Sequence, residues 1–204
     1  HAAPKKLKTV SGQKRQTIAI LGNSISLSGG VFSQVNVFQM EKLYQIALEM
    51  AKVESGHHVL DLYCGAGTLS VAIAKHAKQV VGIELDAGAV KNAQENASTN
   101  YRLNCSFLCA DAADSSQWGD PLHQFDIVTV NPPRAGLAPE VIEGIAATRA
   151  NRVTYISCNP ETLARDCKRL CAHNYEVIEV KPVDMFPQTI HVEAVVKLER
   201  RNRG

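Results

Sequence analysis

The sequence predicts an α/β fold with a mostly parallel seven-stranded sheet whose last strand runs antiparallel. Three observations predict it. Strand-length apolar runs alternate with helical stretches from Val59 to Ala172. The first run leads into a glycine turn, Cys64-Gly65-Ala66-Gly67-Thr68. Two β-rich segments near the end, Glu176 to Val180 and Val192 to Leu198, have no helix between them and therefore pair antiparallel.

The elements follow in order. Residues 1 to about 16 form a basic leader with Lys5, Lys6, Lys8, Lys14 and Arg15. Thr17 to Leu27 reads as a hairpin, with Ile18, Ile20, Ile25 and Leu27 flanking a Gly22-Asn23 turn. Gly29-Gly30 precedes the extended run Val31 to Asn36, and Leu43, Ile46, Ala47, Met50 and Ala51 mark one helix face. Val59 to Tyr63 is the first sheet strand, followed by a helix from Leu69 to His76. Val80 to Glu84 is the second strand, and Ala87 to Ala97 the next helix. Cys105 to Leu108 leads to Asp111, and Phe125 to Val130 leads to Asn131-Pro132-Pro133-Arg134. Pro139 to Thr148 is a helix. Val153 to Ile156 is β-branched and aromatic, and Glu161 to Ala172 is the helix after it.

Composition narrows the function only a little. The 204 residues suffice for one α/β domain with its own core, and the net charge of +2 is uninformative. Its distribution is more telling, because the basic leader has no acid before Glu41, and Arg200, Arg201 and Arg203 sit near the end. Such runs are solvated tails that also suit an anionic partner. No apolar run is long enough to span a membrane, and there is no signal peptide. Six cysteines inside a strand–helix pattern suggest a reducing, cytoplasmic location. None has CxxC spacing, so neither a metal nor an iron–sulfur cluster is expected in this chain. The absence of an initial Met points to a fragment or a processed chain.

Cys158 occupies the most informative position. It lies where a strand ends and a helix begins, with Asn159 as N-cap, Pro160 at the first helical position and Glu161 in the first turn. Ligands bind at that edge of an open α/β sheet. A helix N-terminus favours negative charge and is expected to lower the thiol pKa. Cys158 is thus a candidate nucleophile, the bland alternative being a small buried apolar residue. Glu193 interrupts the apolar run from Val192 to Leu198; it is either a solvated outward residue or a partly buried general base.

The glycine turn belongs to a second constellation. Glu84 can accept hydrogen bonds from two ribose hydroxyls, and Asp111 can meet an adenine amino group. This suits a dinucleotide or S-adenosylmethionine. Ser70 stands where the dinucleotide fingerprint wants a third glycine, and Asp61 can neutralise the donor's amino group, which favours the methyl donor. In Asn131-Pro132-Pro133-Arg134, Pro133 locks the loop, and the guanidinium suits a phosphate. Cys167 and Cys171 share a face with Leu163 and Leu170 and read as core. His57, His58, His76, His123 and His173 show no ligand spacing.

Together these residues resemble a known family. Phe32-Ser33-Gln34-Val35-Asn36 with Leu43-Tyr44, Asp61 to Gly67, Asn131 to Leu137, Ser157-Cys158-Asn159-Pro160 and Asp184 to Glu193 occur in the order seen in RNA uracil-5 methyltransferases. The resemblance covers about residues 31 to 198. It implies a Rossmann-like class I S-adenosylmethionine-dependent methyltransferase fold. Residues 31–204 would then be the catalytic domain, and residues 1–30 the leader and hairpin, read as the tail of a preceding domain. Bacterial members usually carry an N-terminal RNA-binding barrel and sometimes an iron–sulfur cluster.

The resemblance further implies roles. Cys158 matches the nucleophile that adds to uracil C6, and Glu193 the base that removes the C5 proton. Gln34, Tyr63, Gly65, Glu84, Asp111 and Asn131 match the methyl-donor site. Asn36, Arg134 and Thr189 are expected to contact substrate, and Arg134, Arg165, Lys168 and Arg169 to hold an RNA backbone. Asn131 stands where the family usually has Asp, and Thr68 where some members have Asn. The context of Met185 and Val192 resembles ribosomal RNA members more than transfer RNA members. A monomer acting on RNA, away from membranes, is the expectation. Two rivals stay open: an N-methyltransferase using the Asn-Pro-Pro loop, and a non-catalytic RNA-binding module.

Overall fold

The apolar runs become strands because helices cover both faces of the sheet, so even the central strands need no polar side. The computed structural model describes residues 15–28, 37–119, 124–185 and 192–201. Gln34, Asn36, Thr189 and His123 lie outside them. The elements are β1 (Arg15–Ile20), β2 (Asn23–Ser28), α1 (Val37–Ala51), β3 (His58–Leu62), α2 (Thr68–Ile73), β4 (Gln79–Glu84), α3 (Ala87–Thr99), β5 (Cys105–Cys109), β6 (Ile127–Val130), α4 (Pro139–Thr148), β7 (Arg152–Ser157), α5 (Pro160–Ala172), β8 (Tyr175–Val183) and β9 (Glu193–Arg200).

The main sheet has the order β5-β4-β3-β6-β7-β9-β8. The first five are mutually parallel, and β9 runs antiparallel to both β7 and β8. This is the expected seven-stranded, mostly parallel α/β sheet. Alternate residues of each strand feed two cores. Val59, Val80 and Ile127 pack with α1, α2, α3 and the hairpin; Leu60, Val81 and Val128 pack with α4 and α5. The chain reverses its strand order at β3 and β6, the place where such sheets open a crevice beyond their carboxyl ends.

The hairpin differs from expectation by one residue. Its turn is Leu21-Gly22, with φ of 51° and 68°, and Asn23 is the first residue of β2. A two-residue turn needs left-handed backbone at both positions, and Leu21 accepts it. The reason lies across the interface. With Ile20 opposite Asn23, the backbone groups of Ser24, Ser26 and Ser28 face away from β1. There they meet Asn100, Asn96 and Asn92 of α3. A turn at Gly22-Asn23 would direct those groups back at β1.

Candidate active site

Local sequence builds each part of the site. α5 starts where expected: the Asn159 side chain accepts from Glu161 N at 3.1 Å and Pro160 takes the first helical position. This leaves Cys158 in the bend between β7 and α5, half-buried. Across the sheet, Ser157 pairs with Ala194, and that register sets Glu193 beside Cys158. Glu193 is 5% exposed, so it is a buried carboxylate and not a solvated outward residue. An antiparallel strand begins at the edge where its parallel neighbours end, which carries this carboxylate to the ligand side.

A cavity of about 870 Å³ lies over this edge. Cys158, Glu193, Asp61, Tyr63, Gly65, Glu84, Asp111, Asn131 and Arg134 all line it. Of the eleven candidate residues, the three outside the described segments have no position here. The turn after β3 has left-handed backbone at Tyr63, Gly65 and Gly67, with φ of 61°, 54° and 75°. A Cβ at Gly67 would stand 2.9 Å from that of Ala93, so α3 closes onto the turn only because position 67 is glycine. Glu84 accepts from Gly65 N at 3.1 Å and Asp86 N at 2.9 Å, which fixes its carboxylate under the turn. Asp111 is exposed, and its Oδ1 accepts from Ala113 N at 2.9 Å.

Asp61 is the most perturbed carboxylate. It is 2% exposed and accepts from the Ser70 hydroxyl and, at 2.6 Å, from that of Thr129. Burial pushes its pKa up to about 6 despite those bonds, with Glu84 adding to the rise. Burial, Asp111, Asp166 and Glu84 push Tyr63 up to about 12. Tyr44 is the residue whose role the sequence left unread. Buried on α1, it hydrogen-bonds the Asn131 side chain and feels the charges of Asp61 and Glu193, and burial drives its pKa upward. Its place on a helix face among core residues gave no signal of that role.

The Cys158 expectation needs correction. Its pKa is raised: burial acts first and the Glu193 charge second, against its own backbone N–H and Arg134. Desolvation and a neighbouring carboxylate outweigh that N–H and the guanidinium, so the lowering expected from the helix N-terminus does not prevail. Cys64, also on the cavity wall, is pushed up further by burial, Asp61 and Glu84.

The loop after β6 is tied to α5. Arg134 O accepts from Asn159 Nδ2 and Thr162 Oγ1, both at 3.2 Å. Asp166, fully buried, accepts from Leu137 N at 2.7 Å and the Tyr155 hydroxyl at 2.9 Å. Arg165, one of the cations expected to hold RNA, donates to Asp166 at 2.9 Å and to Ala135 O at 2.8 Å. Arg169 also leans on Asp166, at 3.8 Å, while Lys168, Arg134 and Arg165 are exposed. Cys167 packs against the core as expected, and burial pushes it up to about 12. His173 pairs with Glu143 at 3.4 Å, and His57 accepts from Glu54 N at 3.1 Å. Among the described residues no cluster of three His, Cys, Asp or Glu side chains could hold a metal, and no helix is long and apolar enough to cross a membrane.

Known proteins resemble this chain in sequence and fold. The family model described as tRNA (uracil-5-)-methyltransferase matches residues 5–201. A protein of Lactiplantibacillus plantarum, named an uncharacterized RNA methyltransferase, is 42% identical over 183 residues, covering 89% of this chain and 40% of its own. A Streptococcus pyogenes protein so named is 40% identical over 196 residues, covering 95% and 42%. The chain therefore spans about two fifths of the length of these relatives. Among solved structures, Pyrococcus abyssi tRNA (uracil-54, C5)-methyltransferase in complex with S-adenosyl-L-homocysteine superposes with a TM-score of 0.78 at 31% identity, over 92% of this chain and 45% of that one. Pyrococcus abyssi Trm5b superposes at 0.73 with 16% identity, over 93% and 57%, a likeness of fold alone.

Proposed function

The chain belongs to the tRNA (uracil-5-)-methyltransferase family, and on that premise we propose that it methylates C5 of a uridine in RNA from S-adenosylmethionine, through a covalent adduct between Cys158 and C6 of the base. Sequence context around Met185 and Val192 favours ribosomal RNA over transfer RNA. The observation that carries this reading is one cavity lined at once by Cys158, Glu193 and the glycine turn with its acids.

The residues fit the donor. A carboxylate held at 2% exposure with a raised pKa gains from a cation, and the donor's amino group supplies one. Both Glu84 oxygens are oriented by backbone N–H groups and keep lone pairs for ribose hydroxyls. Gly65 would let the backbone approach closely, Asp111 would meet the adenine amino group, and Tyr63, Asn131 and, from the resemblance, Gln34 are assigned to the same site. When bound, S-adenosylmethionine supplies an electrophilic methyl group on a sulfonium.

The chain's own residues do the rest. Uracil C5 is a poor nucleophile. Cys158 loses its proton to solvent, and its sulfur bonds to C6 while the displaced electron pair moves onto the C4 oxygen, which makes C5 nucleophilic. Once C5 carries methyl, Glu193 takes the C5 proton. That electron pair re-forms the C5–C6 double bond and expels the Cys158 thiolate. The target base must leave its stack to reach Cys158. We assign phosphate contacts to Arg134, which lines the cavity and is exposed, and to exposed Lys168, with Asn36 and Thr189 as further substrate contacts implied by the resemblance. Burial at 5% exposure keeps the Glu193 carboxylate out of bulk water and beside Cys158, which suits a base positioned for one proton.

The test is trapping. The chain, S-adenosylmethionine and RNA carrying 5-fluorouridine are incubated, and a denaturation-resistant adduct is sought by gel and mass spectrometry. Fluorine at C5 cannot leave as a proton, so the adduct accumulates and is absent with Cys158→Ala. Running ribosomal and transfer RNA fragments side by side decides between them. Methylation that survives Cys158→Ala sinks the covalent reading in favour of an amine methyltransferase built on Asn131-Pro132-Pro133. RNA binding without donor binding sinks it in favour of a binding module.

A further inference from the structure

We propose that the β1–β2 hairpin is a wall of the donor site, with Leu27 touching the donor and Asn96 as the positioning residue that locks the hairpin to the glycine turn. This rests on the donor site proposed above. Leu27 of β2 lines the same cavity as Asp61, Gly65 and Glu84. The hairpin is fastened by three asparagines spaced four residues apart on α3. Asn100 Oδ1 accepts from Ser24 N at 2.8 Å and its Nδ2 donates to Ser24 O at 2.7 Å. Asn96 repeats the pattern with Ser26, at 2.8 and 3.1 Å. Asn92 Oδ1 accepts from Ser28 N at 3.2 Å and from its hydroxyl at 2.9 Å.

The spacing explains why this works. Four helical residues rise about 6 Å and two strand residues about 6.8 Å, so one helix turn keeps step with every second strand residue. The three amides stand in for the strand that the outer edge of β2 lacks. Asn96 alone of the three reaches further: its Nδ2 also donates to Ala66 O at 3.0 Å, inside the glycine turn. At 1% exposure it joins hairpin and turn in a single buried side chain. Ala93, three residues earlier on the same face, packs against Gly67. Hairpin, α3 and glycine turn thus share one buried junction, and Leu27 faces the cavity next to it. An apolar wall there suits the carbon skeleton of an S-adenosyl thioether or sulfonium.

Calorimetric titration with S-adenosyl-L-homocysteine, alongside thermal melting, tests this on the whole chain. Leu27→Ala is expected to weaken binding about tenfold, the worth of much of a leucine side chain, while Leu27→Met retains the affinity. Asn96→Ala weakens binding severalfold and lowers the Tm. Asn100→Ala, which frees the hairpin tip without touching the turn, lowers the Tm and weakens donor binding less than Asn96→Ala does. The half-buried Leu27 carries the test should Asn96→Ala not fold. Affinity equal to the unaltered chain in Leu27→Ala overturns the inference while the donor site stands. No binding by the unaltered chain overturns the donor reading and this inference together.

Discussion

Replacing Asp61 with Asn should stabilise the fold and abolish tight donor binding. The carboxylate is buried, and its pKa stands at about 6 against 3.8 for the free side chain. A rise of about two pH units corresponds to about 3 kcal/mol of destabilisation when the group is ionised in the fold. The sign follows from linkage. Below pH 3.8 the group is protonated folded and unfolded, and no penalty applies. The penalty grows as pH climbs and is complete above about 6. An amide does not titrate, keeps one acceptor for Ser70 or Thr129, and offers an N–H to the other hydroxyl, which must turn to accept it. Allowing about half the gain for that exchange leaves about 1–2 kcal/mol, or roughly 3–6 °C in Tm for a chain of this size. Differential scanning fluorimetry from pH 4 to pH 8 should show the Asp61→Asn variant equal to or below the parent at pH 4 and above it from pH 6.5. Calorimetry should show S-adenosyl-L-homocysteine binding weakened about 10- to 100-fold, since an unpaired amino group loses a charged hydrogen bond. A Tm difference that does not change with pH would refute the burial argument, and undiminished binding would refute the role of Asp61.

Other consequences can be measured on the same chain. Iodoacetamide alkylation of Cys158 should have its pH midpoint above the ordinary thiol value of 9.0, because burial and Glu193 raise it, and Glu193→Gln should move the midpoint down; a midpoint below 9.0 contradicts the geometry. Gly136→Ala should lower stability by about 2–4 kcal/mol in denaturant melts, since position 136 has φ of 74° and a Cβ there collides with Asp166 and stands 2.7 Å from Arg165 Nη2. Asn131→Asp adds a carboxylate beside Tyr44, already in the field of Asp61 and Glu193, so its Tm should fall at pH 8 and recover toward pH 5. Unchanged melting at both pH values would place that side chain outside the cluster.

Much of the site was legible because it is local. Asn159, Pro160 and Glu161 specify the start of α5 within a single turn, so Cys158 had to sit at a strand–helix bend whatever the rest did. Gly65 and Gly67 mark a turn that other residues adopt only with strain, and the alternation of apolar runs and helices specified a parallel sheet. What the sequence could not decide depends on residues brought from elsewhere. Glu193 is buried because β9 pairs antiparallel with β7, and its register, not its neighbours in sequence, puts it beside Cys158. The thiol pKa rises because burial, and after it that carboxylate, outweigh the thiol's own backbone N–H and Arg134. The hairpin turns at Leu21-Gly22 because three asparagines seventy-odd residues away need the outer edge of β2. Charges, desolvation and edge hydrogen bonds act through space at a few ångströms, and only the folded chain sets those distances.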